Sequence, residues 1–199
     1  TIYDDNTVFP PDESKFLHAK DFTITDEEAK ALTEAAAKDK AGVKAWNADG
    51  TDLTPNVAVD PAQLAKIKEG VAGVYPLKFT VDGLEKTVNV TVTDENTVVG
   101  DKAAIRAKNF KLKLNAETAS LTADVAKAKA EADAWYLDGH TPKPTINVDE
   151  AQLNAIKAAN KVGVMDLTFT VADDAKATRT VKVTIYDDNT VISPDESKF

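Results

Sequence analysis

Residues 1–16 read TIYDDNTVFPPDESKF and residues 184–199 read TIYDDNTVISPDESKF, identical at 14 of 16 positions. A looser copy, TVTDENTVVG, begins at Thr91. A phrase recurring at such spacing commits the chain to modules in tandem, each of about 90 residues. The correspondence runs on between the phrases. Ala19-Lys20-Asp21-Phe22 aligns with Ala107-Lys108-Asn109-Phe110, Trp46 with Trp135, and Val59-Asp60-Pro61-Ala62-Gln63-Leu64 with Val148-Asp149-Glu150-Ala151-Gln152-Leu153. The two modules must therefore share one fold.

Each module is large enough for one modest core. Phe22-Thr23-Ile24-Thr25 and Phe110 to Leu114 alternate apolar and polar residues, which predicts strands. An alanine-rich helix follows at Thr33–Ala41 and Thr122–Ala130, each opened by a threonine cap; Thr25-Asp26-Glu27-Glu28 is also a capping box, which allows an earlier start in the first module. Strands are predicted at 43–47 and 132–137, before Asp-Gly turns, and at 57–59 and 145–148. Asp60-Pro61-Ala62-Gln63 is a helix start, with Leu64 and Ile67 inward and Gly70 as the stop. A hairpin closes each module, at 74–81 with 86–92 and at 164–171 with 178–185. The fold class expected is mainly β: two tandem sandwich modules, each with two short helices.

The boundaries follow from the repeated phrase. Residues 1–8 are expected to be the stub of a preceding module, 9–93 the first repeat, 94–100 a linker, 101–186 the second repeat, and 187–199 a linker to a further module. Pro10-Pro11 and Pro194, with no flexible Gly/Ser spacer, predict stiff joints; the internal joint, with Gly100 and no proline, is predicted to bend more easily.

Several function classes fall away. A net charge of −9 with only two arginines, Arg106 and Arg179, argues against a nucleic-acid partner. No apolar run is long enough for a membrane span, so no membrane contact by this segment is expected. Without cysteine there is no disulfide, thiolate metal site or thiol nucleophile. The only histidines, His18 and His140, occupy different places in their modules, and no nucleophile–base order or phosphate loop is present. No catalytic residue and no enzyme activity are expected.

Two sets of residues are candidate sites. Trp46 and Trp135 lie at the same module position and on strand alternation share a face with Lys44 and Asp133 respectively. An indole there either packs or offers a stacking surface to a glycan or host protein. The repeated phrase carries Asp4-Asp5-Asn6, Asp94-Glu95-Asn96 and Asp187-Asp188-Asn189. Such oxygen ligands are either a calcium site that stiffens a joint or solvated acidic turns. No other cofactor is indicated.

Phe22, the Leu32-Thr33 helix start, Val43-Lys44-Ala45-Trp46, Asp49-Gly50, Val59 to Leu64 and Val74-Tyr75-Pro76-Leu77-Lys78-Phe79-Thr80 together resemble the bacterial immunoglobulin-like tandem repeats of Gram-positive cell-wall-anchored surface proteins. The resemblance covers both modules nearly end to end, and its motifs are structural. It implies an immunoglobulin-like sandwich, an extracellular, wall-attached location, and a place in the stalk of an adhesin, with neighbouring repeats of the same chain as partners.

Overall fold

The computed structural model describes residues 3–191, and the chain divides between Asp94 and Glu95 into two compact units. The first begins with β1 (Thr7–Val8), β2 (Lys15–His18) and β3 (Phe22–Thr25), followed by helices α1 (Asp26–Lys30) and α2 (Glu34–Lys40). Then come β4 (Lys44–Asn47), a 3₁₀ turn at Thr54–Asn56, β5 (Ala58–Val59), α3 (Pro61–Ile67), β6 (Gly73–Val81) and β7 (Leu84–Thr93). The strands form a three-stranded sheet, β1-β2-β4, and a four-stranded sheet, β3-β7-β6-β5. Phe22–Thr25 runs parallel to Val90–Thr93; the other pairings are antiparallel.

Local chemistry explains these elements. Thr25 accepts from the Glu28 amide at 3.2 Å while the Glu28 carboxylate accepts from the Thr25 amide at 2.9 Å, a reciprocal cap that makes α1 a helix of its own ahead of α2. Asp60 accepts from the amides of Ala62 and Gln63, both at 3.0 Å, and Pro61 takes the first helical position. The two residues between β6 and β7, Asp82 and Gly83, have φ of 46° and 81°, the left-handed pair that matches the twist of a tight hairpin.

The second unit holds β8 (Thr97–Val99), β9 (Ala103–Arg106), β10 (Phe110–Lys113), α4 (Ala123–Lys129), β11 (Asp133–Tyr136), β12 (Ile146–Val148), α5 (Glu150–Lys157), β13 (Gly163–Val171) and β14 (Asp174–Tyr186). Its sheets, β11-β9-β8 and β10-β14-β13-β12, repeat those of the first. Side-chain ties are duplicated as well as strands. Gln63 Oε1 accepts the Lys78 amide and Gln152 Oε1 the Thr168 amide, both at 2.7 Å, fastening α3 and α5 to their sheets. Asp21 accepts the Asn89 amide and Asn109 the Lys182 amide, both at 2.8 Å. Lys40 pairs with Glu28 as Lys129 does with Glu117.

In each unit the core lies between the two sheets. Leu17 and Ala45 from the smaller sheet meet Ile24, Leu77, Phe79, Val88 and Val90 from the larger; Ile105 and Ala134 meet Leu112, Leu167, Phe169 and Val181. Phe79 and Phe169 are fully buried, each worth roughly 2–3 kcal/mol of transfer free energy. The mainly β, two-module sandwich expected from the sequence is the architecture found.

Several details differ. The stub expected at 1–8 contains β1, whose Thr7 and Val8 pair with His18 and Leu17 of the same unit, and the linker expected at 94–100 contains β8, paired with β9. These strands escape a periodicity reading because they are short and Ala103–Ile105 is buried on both faces, leaving no alternation. Pro10 and Pro11 therefore lie in the β1–β2 connection, within a module, and cannot stiffen a joint; Gly100 likewise lies in the β8–β9 connection. The link from β7 to β8 is only Asp94–Asn96. Residues 1–2 and 192–199, including Pro194, lie outside the described residues. The first module has three α-helices where two were expected, because α1 and α2 both form; in the second, turns at 114–120 with Asn115 at φ 63° replace α1.

Both hairpins have two-residue connections, but the β13–β14 register shifts between Thr170 and Val171, and its tip turns Asp174 inward. Asp174, 6% exposed, accepts from the amides of Lys102 at 2.6 Å, Ala103 at 3.0 Å and Lys176 at 3.2 Å, which ties the tip to the start of β9. Gly100 permits this approach, since a Cβ there would lie 2.5 Å from Asp174 Oδ2 and 2.6 Å from the Ala177 nitrogen.

Candidate functional site

Strand alternation divides the smaller sheet of the first module into two faces. Leu17 and Ala45 point to the core, so Phe16, His18, Lys44 and Trp46 point outward. The register places Phe16 opposite Trp46 and His18 opposite Lys44. Phe16 and Trp46 stack with centroids 5.4 Å apart and planes 13° from parallel. Phe9 lies 5.5 Å from Phe16, and Tyr3 lies 4.7 Å from Phe9 and 5.9 Å from Phe16. Phe16 is thereby fully buried, whereas Trp46 stays half-buried and Tyr3 is exposed.

Beside Trp46 lies an open groove of about 460 Å³ that runs past Tyr3, Asp4, Thr7, His18, Lys20, Gly42 and Lys44. His18 Nδ1 is 3.1 Å from Asp4 Oδ1 and 3.4 Å from Thr7 Oγ1. Lys20 and Lys44 are exposed and have no carboxylate partner among the described residues.

In the second module Trp135 faces Ala104 and Asp133 faces Arg106. Trp135 is only 5% exposed, and its Nε1 has no hydrogen-bond partner. Of the two tryptophans singled out in the sequence, Trp46 borders an open groove and Trp135 is buried. Nothing in the residue pattern singles out His18, Lys20 or Gly42 as its companions; the one signal is the matched Ala-Lys phrase after each strand.

The acidic residues of the repeated phrase form turns. Asp4 Oδ1 accepts the Asn6 amide at 3.0 Å and the Thr7 hydroxyl at 3.1 Å; Asp187 Oδ1 accepts the Asn189 amide at 3.1 Å and the Thr190 hydroxyl at 2.7 Å. The Thr190 hydroxyl, with the turn amides, holds the Asp187 carboxyl below its ordinary value against partial desolvation. For Asp4, desolvation pushes upward, and the bonds from Asn6 and Thr7 outweigh it. Asp188 pairs with Lys113 at 2.6 Å. Asp94, Glu95 and Asn96 occupy the corresponding link between β7 and β8, and Asp5 is exposed in its turn. Among the described residues no three His, Cys, Asp or Glu side chains come together as a metal-holding group.

No family model matches the chain, and no curated protein matches it. Among solved structures it is similar to surface layer protein SbsC, domains 6-7, in its monoclinic form, at 15% identity over 83% of this chain and 94% of that one, with a TM-score of 0.24. The described residues contain no helix long and apolar enough to cross a membrane.

Proposed function

We propose that the chain is a non-catalytic structural repeat, part of the stalk of a bacterial cell-surface adhesin that projects a binding domain from the cell wall. The observation that carries this reading is the duplication: sheets, caps and side-chain ties recur from module to module, and only three residues, Asp94–Asn96, connect β7 to β8. A repeated fold with short connections is how solenoids and arrays gain length from a single design. The resemblance to wall-anchored repeats supports the extracellular setting. Immunogold labelling of intact source cells with antibody to the purified chain tests it. Label outside the wall, released by a wall-digesting muramidase, is expected; antigen found only after cell lysis overturns the reading.

A further inference from the structure

We propose that the groove beside Trp46 is a binding site for carboxylated sugar units. The strongest argument is the contrast between two copies of one surface. At the position of Gly42, φ 59°, the second module has Glu131, φ 47°, so both backbones take the same left-handed turn and only the side chain differs. Glu131 pairs with Lys108 at 2.5 Å and with Arg106 at 3.9 Å, the residues equivalent to Lys20 and His18. At the position of Lys44 stands Asp133, which pairs with Lys143 at 2.7 Å. The second module thus supplies its cations with internal carboxylates, and the first omits both of those carboxylates. A Cβ on Gly42 would meet Lys20 Cε only at 3.6 Å, an ordinary contact, so the space itself does not require glycine. The left-handed φ just past the α2 C-cap favours glycine, and the glycine also leaves out a carboxylate.

Lys20 and Lys44 are therefore two ammonium groups left for an external anion, on a chain whose net charge is −9, while Asp4, the carboxylate that also lines the groove, is engaged by the Asn6 amide, the Thr7 hydroxyl and His18. The same groove is edged by the Trp46 ring, held in place by its stack on Phe16, and by exposed Tyr3. Aromatic faces take the apolar C–H face of a pyranose, and ammonium groups take its carboxylate. A volume of about 460 Å³ falls within the range of small-ligand sites. It also lies on the outer face of β1-β2-β4. This inference concerns binding and stands apart from the stalk reading, since it is tested on the purified chain.

The probe is an α-1,4-linked galacturonate tetramer, followed by amide and indole NMR shifts, beside its fully methyl-esterified form, which keeps the rings and removes the charge. The acid is expected to shift Trp46, Lys44 and Lys20, to bind roughly tenfold more tightly than the ester, and to weaken with salt. Lys44→Asp, which installs the second module's residue, and Lys20→Ala should each weaken it several-fold while leaving the remaining spectrum folded. No shift with the acid, equal binding of acid and ester, shifts confined to other surfaces, or unchanged affinity in both variants would each overturn the proposal. So would a glutamate tetrapeptide that moves the same resonances with equal or greater affinity, because the site would then select carboxylates without sugars.

Discussion

Replacing Asp174 by alanine should destabilise the second module far more than any surface carboxylate does. Three backbone amides converge on this carboxylate, and it is 6% exposed. Hydrogen bonds to a charged acceptor contribute about 1.5–3 kcal/mol each, and a buried amide left without a partner costs about 1–3 kcal/mol. Water can reach the Lys102 and Lys176 amides, which are half-buried sites, but the Ala103 bond is buried, so most of the loss falls there. The sum is about 2–4 kcal/mol, which for a module of this size lowers the melting temperature by roughly 10–25 °C. Asp174→Asn keeps an acceptor without the charge and should lose about half as much.

Calorimetry of the whole chain checks the melting, and amide exchange at Ala103 against Val90 assigns the loss to one module. The pH dependence has a definite sign. Amide donors, that of Lys102 foremost, hold the Asp174 carboxyl below its ordinary value in the folded state. Its contribution is complete above the unfolded aspartate value and disappears as pH falls through the lower folded one, so the gap between wild type and alanine variant should close only in acid. A melting shift under about 3 °C, or a gap that closes as pH rises, would refute this account of the tie.

Removing the twin glutamines should give twin results: Gln63→Ala and Gln152→Ala each leave a strand amide without its acceptor and should cost about 1–2 kcal/mol by denaturant unfolding. Losses that differ by more than about 1 kcal/mol would contradict the equivalence of the modules. The helix caps offer a smaller version of the same comparison, with Asp60→Ala and Asp149→Ala each expected to lower stability by about 1 kcal/mol in thermal melts. In Trp46→Phe the remaining emission, from buried Trp135, should be blue-shifted and poorly quenched by acrylamide, whereas Trp135→Phe should leave a readily quenched indole.

What could be read from the sequence were the elements with a local cause. Asp60-Pro61 and Asp149 mark helix starts because the cap, the ring or the acceptor acts within three residues. The Asp82-Gly83 hairpin was legible for the same reason. Thr7–Val8 and Lys15–His18 were not, because their strand character comes from pairing with each other and with Lys44–Asn47. The site divides along the same line. Trp46 and its Lys44 neighbour follow from alternation on one strand, but Lys20, His18 and Gly42 reach the groove from β2 and from the turns beside the strands, so only the fold brings them together. The difference between Trp46 and Trp135 was likewise hidden, since identical residues at equivalent positions differ in what surrounds them.

The parallel pairing of β3 with β7 has a mechanical consequence. Phe22 lies beside Val90 and Thr25 beside Thr93, and β10 and β14 repeat the arrangement from Phe110 beside Val183 to Lys113 beside Tyr186. Tension that reaches Phe22 from the preceding chain and leaves through Thr93 pulls these strands past one another along their length. The interstrand bonds then share the load and must fail together, whereas an antiparallel hairpin pulled at its open end opens one bond at a time. Each module thus sets a shear-loaded contact between the strand that enters its larger sheet and the strand that leaves it, so force passing along the chain meets a shear joint in both modules.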